Sequence, residues 1–117
     1  MLISKVPKTY KGHKVKVVKS REFVAHWDEK KKMIWLNYFY VTRDDVDRND
    51  VIAVMEHELE EERQKIKNKK PMIEAHQLAN KKEKSYLKKH GESFPEHQKE
   101  VMNTYRTEAT EDAPYKD

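Results

Sequence analysis

Residues 51–63, Val-Ile-Ala-Val-Met-Glu-His-Glu-Leu-Glu-Glu-Glu-Arg, join an apolar repeat to five glutamates within two helical turns, and few environments satisfy both. At about 100° per residue, Val51, Ile52, Leu59 and Ile66 fall within about 60° of Met55, so they form the stripe that packs on the rest of the protein. His57 and Glu61 lie at about 200° and 240°, where a single packing layer would leave them in water with Glu61 pairing Lys65. Val54, near about 260°, puts an apolar group beside them and predicts a second element covering part of that side. Glu56 and Glu60, and Glu58 and Glu62, repel at i,i+4, a strain that a cation, a basic partner or solvent would relieve.

The chain on either side divides into strands and then helices. Alternation over 13–19, with Val15 and Val17 on one face and Lys14 and Lys16 on the other, predicts a half-exposed strand. Phe23, Ala25 and Trp27 continue the pattern, 28–32 is a polar turn, and residues 33–41 form the most apolar run, read as the most buried strand of a hairpin over about 21–41. The acid-rich segment 42–50 suits the positive N-terminal end of a helix over about 48–68. A second helix starts at Pro71 and ends near Gly91; Ser93 and Glu96, spaced as a capping box, announce a third carrying Val101, Met102 and Tyr105. The expected fold is α+β: a small antiparallel sheet within about 13–41, followed by three α-helices, in one domain over 1–106. Residues 107–117 form an acidic tail with little to bury and are expected to be disordered.

Only 36% of the 117 residues are hydrophobic and 39% are charged, so the core is small and some helical surface is expected to be buried in a protein partner or a second copy. No cysteine is present, which excludes disulfides, thiolate zinc sites and cysteine nucleophiles and leaves His, Asp and Glu as metal ligands. No apolar run is long enough for a bilayer, and the N-terminus lacks a signal-peptide pattern, so the expected location is cytoplasmic and no membrane partner is expected. Net charge is +4, with residues 1–43 at +8 as the basic pole.

Measured from Leu78, the second helix places His76 and Glu83 inside the apolar arc of Met72, Ala75, Ala79, Tyr86 and Leu87. A buried imidazole and carboxylate need partners, and two turns separate these two, so each is expected to reach another helix. The first helix offers His57 and Glu61. Two imidazoles and one carboxylate, His57, Glu61 and His76, match a catalytic zinc set, with Glu58 beside it as general base and Glu83, directly or through Asn80, orienting His76.

These residues resemble zincin-type metallopeptidases. Ile34-Trp35-Leu36-Asn37, an acidic connector and then Glu56-His57-Glu58-Leu59 is similar to the edge strand and His-Glu helix of small zincins, with a weaker match at Glu74-Ala75-His76. The resemblance implies zinc, a peptide substrate held by β-addition on the strand, and hydrolysis. Glu61 stands where zincins carry their second histidine, so the ligand set would be exchanged, with His76 supplying the second imidazole. The His-Glu-x-x-Glu and Ala-His-x-x-Ala pair is also similar to that of small phage-encoded proteins, which implies the host cytoplasm or a virion.

Two other readings stay open. Lys30, Lys31 and Lys32 at a hairpin tip could neutralise nucleic-acid phosphates while Trp35, Tyr38 or Tyr40 stack on bases, or they could simply be solvated and suppress aggregation. Alternatively the chain is a non-enzymatic assembly subunit, of the kind that decorates a phage particle, whose His and Glu residues make polar contacts between helices. His13, His26, His90 and His97 read as surface or packing residues.

Overall fold

The computed structural model describes residues 5–19 and 22–104; Tyr105 and the 107–117 tail lie outside them. Four strands, β1 (Thr9–Tyr10), β2 (His13–Val18), β3 (Ala25–Asp28) and β4 (Met33–Asn37), are followed by a single helical turn α1 (Tyr38–Val41) and three longer helices, α2 (Arg48–Glu62), α3 (Met72–Lys89) and α4 (Phe94–Thr104). The class is α+β.

The sheet is mixed rather than antiparallel throughout. Its order is β1-β2-β4-β3, with β2 and β4 parallel and the other two pairings antiparallel. β4 is the most apolar strand, and the central place pairs both its edges while Ile34 and Leu36 are wholly buried. The chain leaving β2 therefore crosses to the far edge, lays down β3, and returns through a hairpin that pairs Trp27 with Ile34 and Ala25 with Leu36. In the β1–β2 turn, Lys11 and Gly12 have φ of +46° and +87°, the left-handed pair that a two-residue hairpin needs.

β4 stops at Asn37 instead of running to Val41. The Asn37 side chain accepts from Phe39 N–H at 2.9 Å and donates to the Phe23 carbonyl at 2.9 Å, which starts a helical turn and sends Tyr40 and Val41 into the core. Asp47 and Asp50 then form a capping box at the head of α2, each carboxylate accepting the other's backbone N–H at 2.9 and 3.0 Å. The acidic connector thus acts as the expected cap. α2 runs into a π-helical turn, Arg63–Lys67, and Pro71 in extended conformation precedes α3. Gly91, at φ +72°, closes α3, and the Glu92 N–H donates to the Leu87 carbonyl at 2.9 Å.

α2 is buried on nearly every side. Val51, Ile52 and Met55 pack on Ile34, Leu36, Tyr40 and Val46, while α3 lies along the opposite side of the helix. Val54 is covered, as the two-layer expectation required. α3 meets it through Ala75, Ala79, Glu83 and Leu87, spaced four apart, whereas Met72 is exposed and Leu78 only half-buried. No helix among the described residues is long and apolar enough to cross a membrane.

Candidate metal centre

Four of the five glutamates of α2, Glu56, Glu58, Glu61 and Glu62, are buried. Burial of so many acids requires donors on every flank. On the sheet side, Tyr10 donates its hydroxyl to Glu56 and Lys11 Nζ lies 2.7 Å from the same carboxylate, while His13 Nε2 meets Glu62 at 3.0 Å. Glu61 receives the Trp27 indole N–H at 3.0 Å from β3.

On the α3 side a continuous polar chain runs through the interior. Asp50 Oδ1 accepts from His97 Nδ1 at 2.8 Å; His97 Nε2 donates to Glu83 Oε2; Glu83 Oε1 accepts from His57 Nδ1 at 2.8 Å. His57 Nε2 lies 3.7 Å from Glu61 Oε2, and that oxygen lies 3.2 Å from His76 Nδ1. The rings of His57 and His76 meet edge to face with centroids 4.9 Å apart. α2, α3 and α4 thus converge on alternating imidazoles and carboxylates.

Burial pushes the His57 imidazole towards neutrality, yet the Glu83 carboxylate bonded to it, the nearby Glu61 carboxylate and the charge of Glu58 outweigh that effect and raise its pKa to about 11. His97 follows the same balance, with Asp50 and Glu83 raising it to about 9. Burial works against ionisation of Glu61 and Glu83 as well, but His57, together with Trp27 for the first and His97 for the second, holds both below the usual carboxylate range. The chain is a ladder of opposite charges.

His57, Glu61 and His76 each offer one ligand atom, all within 4.8 Å of one another, so the expected triad is brought together and could hold a metal ion. Imidazole and carboxylate donors are ones that a divalent metal ion takes. Glu83 occupies Nδ1 of His57 and turns Nε2 towards Glu61, the arrangement that metal-ligating histidines adopt with an outer carboxylate. Glu83 therefore orients His57 rather than His76, and Asn80 lines the adjoining cavity beside His76. Asp50, His97 and Glu100 also group within this distance, but both His97 nitrogens already meet carboxylates, and the imidazolium supplies the positive charge there.

A cavity of about 80 Å³ opens beside His57, Glu58, His76, Asn80 and Glu83, and a second of about 300 Å³ lies along β3 between Phe23, Trp27, Met72, Glu58 and Glu61. Glu58 borders both. The strand beside the site with an outer edge is β3, not residues 34–37, since β4 is paired on both sides.

The sequence reading missed His97. It is 1% exposed and ties α4 to α2 and α3, and the available signal was its position one turn before Val101, on the apolar face of α4. Lys30, Lys31 and Lys32 are exposed at the β3–β4 turn and do not belong to the His57–Glu61–His76 group. Comparison with protein-family models, curated proteins and solved structures finds no match to the chain.

Proposed function

We propose that this protein binds a divalent metal ion of zinc type through His57 Nε2, Glu61 Oε2 and His76 Nδ1, as a reduced zincin-like metallopeptidase. The observation that carries the reading is the convergence of one ligand atom from each of these three residues within 4.8 Å, with the other nitrogen of His57 held by Glu83. Such an ion would take the place of the proton that His57 otherwise carries on Nε2 and, when bound, would polarise a carbonyl and acidify water. The protein's own part is to position and to move protons. Glu58, buried at the border of both cavities, is placed to accept a proton beside His57, and the larger cavity along β3 offers an extended peptide a strand edge and the apolar walls of Phe23, Trp27 and Met72.

Elemental mass spectrometry of purified wild type beside His57→Ala/His76→Ala tests the binding. Zinc near one per chain in wild type and absent from the variant supports the centre; no zinc in wild type after zinc is supplied overturns it. His76→Ala alone, at the half-exposed ligand, separates lost binding from lost folding. Glu58→Gln is expected to keep the metal and lose peptide hydrolysis.

An assembly role is the second reading, favoured by Ile66, Met72 and Ile73, which are 44%, 48% and 75% exposed around the start of α3. A monomer by sedimentation at every concentration tested counts against it.

A further inference from the structure

The outward half of α3 carries charge of one sign. Lys81, Lys82, Lys84, Lys88 and Lys89 are all exposed, opposite the buried ladder of Ala75, Ala79, Glu83 and Leu87. The only acid between residues 75 and 90 is Glu83, which is buried against His57 and His97. None of the five lysines forms an ion pair among the described residues, whereas Arg63 and Lys70, just upstream, pair with Glu60 and Glu74. A helix face that serves solubility alone intersperses acids, because like charges four apart, as at Lys84 and Lys88, destabilise the helix.

The face borders a cavity of about 230 Å³ lined by Lys11, Glu56, Lys82, Ser85, Tyr86, Lys89 and His90. Its one acid, Glu56, already holds Lys11 Nζ at 2.7 Å and the Tyr10 hydroxyl, so Lys82 and Lys89 supply the charge open to a ligand. They stand seven residues apart, about 10.5 Å along the helix. Tyr86 and His90 stack at the same cavity with centroids 4.1 Å apart and planes at 29°, which sets an aromatic surface beside the cationic one.

We propose that this face of α3 binds single-stranded nucleic acid, with backbone phosphates on Lys81, Lys82, Lys84, Lys88 and Lys89 and a base against the Tyr86–His90 pair. Repeated single-sign charge next to stacked rings is the combination that sequence-tolerant single-strand binding uses. A membrane surface is the poorer match, since no large apolar side chain is exposed between residues 81 and 90 to enter a bilayer. The site is separate from the metal centre, which lies on the buried side of the same helix, and from Lys30, Lys31 and Lys32.

Fluorescence anisotropy of labelled DNA and RNA oligonucleotides of about 20 nucleotides, titrated with the full chain at rising salt, tests this. With about five phosphate contacts, affinity should fall about a hundredfold between 50 and 200 mM salt. Lys82→Gln/Lys88→Gln/Lys89→Gln should reduce the log–log salt slope by about 2, since Gln keeps helix propensity while each lost contact removes about 0.7. His90→Ala should weaken binding with the slope unchanged, and Lys30→Gln/Lys31→Gln/Lys32→Gln should change neither. A preference for one of the two oligonucleotides identifies which nucleic acid the face takes. No anisotropy change at 50 mM salt, loss in the hairpin variant in place of the α3 variant, or binding to phosphatidylserine vesicles or polyglutamate as tight as to the oligonucleotides each overturns the proposal.

Discussion

Glu83 Oε1 lies 2.8 Å from Nδ1 of His57 across 26 residues of chain, and the other oxygen of the same carboxylate holds His97. One acid therefore ties α3 to both α2 and α4. Glu83→Gln keeps the volume but removes the counter-charge of two buried imidazoliums, so a loss of about 3–5 kcal/mol is expected in urea unfolding. For variant that still folds, zinc affinity should fall about 10- to 100-fold because Nδ1 of His57 loses its carboxylate. Unchanged unfolding would show that the acid does not hold these helices together.

The same ladder sets the pH dependence of stability. His97 is held at about 9 against an ordinary 6.5, because Asp50 and Glu83 outweigh its burial. Its folded value is the higher one, so its contribution is complete below pH 6.5 and disappears as pH rises through about 9, and His57 extends the decline to about 11. Glu61 and Glu83 are shifted down, so theirs is present above the ordinary 4.5 and is lost as pH falls. Stability should peak between about pH 5 and 6.5, with up to about 3 kcal/mol from His97 lost by pH 10. His97→Gln should be less stable at pH 6 and flatter between pH 6.5 and 9; urea midpoints read across that range decide it.

Periodicity made the helices legible because each one is cut to a face and a cap. Asp47, Asp50, Pro71, Gly91 and Ser93 mark ends where they were expected, and Val54 exposed the need for a second layer over His57 and Glu61. Spacing alone placed both Glu83 and His76 in a buried arc; Glu83 is buried, whereas His76 stays half-exposed at its edge. Strand pairing was less legible, since alternation describes a strand's two faces but not its neighbours, and the parallel β2–β4 pairing depends on a crossover that no local pattern records. Asn37 reads equally well as the end of a strand or the cap of a helix, and only the Phe23 carbonyl beside it decides. His97 was missed because its two acids lie 47 and 14 residues away, far beyond any helical spacing.

The β3–β4 turn holds a strain that substitution can release. Lys32 sits at φ +53°, with its N–H donating to the Glu29 carbonyl at 3.3 Å, while Lys31 N–H donates to Asp28 Oδ1 at 3.1 Å. A side chain in this region costs about 1 kcal/mol that glycine avoids. Lys32→Gly should therefore stabilise the protein by several tenths to about 1 kcal/mol, less the flexibility it adds to the unfolded chain. A lowered melting temperature would mean that the lysine side chain contributes more to the turn than the backbone loses.

Ala79 bears on the site without touching it. It is wholly buried where α3 crosses α2, four residues before Glu83, and its small side chain sets how closely the two helices approach. Ala79→Leu inserts three carbons into this packed seam and should cost about 1–3 kcal/mol by overpacking. Moving α3 outward also draws Glu83 from His57 and His76 from Glu61, contacts now at 2.8 and 3.2 Å. Zinc affinity should therefore fall together with stability, although every proposed ligand is still present. Leu87→Ala, wholly buried two turns beyond Ala79 on the same face, provides the comparison: it should cost about 2–5 kcal/mol by leaving a cavity, yet affect zinc affinity less because it does not force the helices apart. Equal losses of affinity in the two variants, matched to their losses of stability, would show that the centre responds to general loosening and not to the α2–α3 spacing.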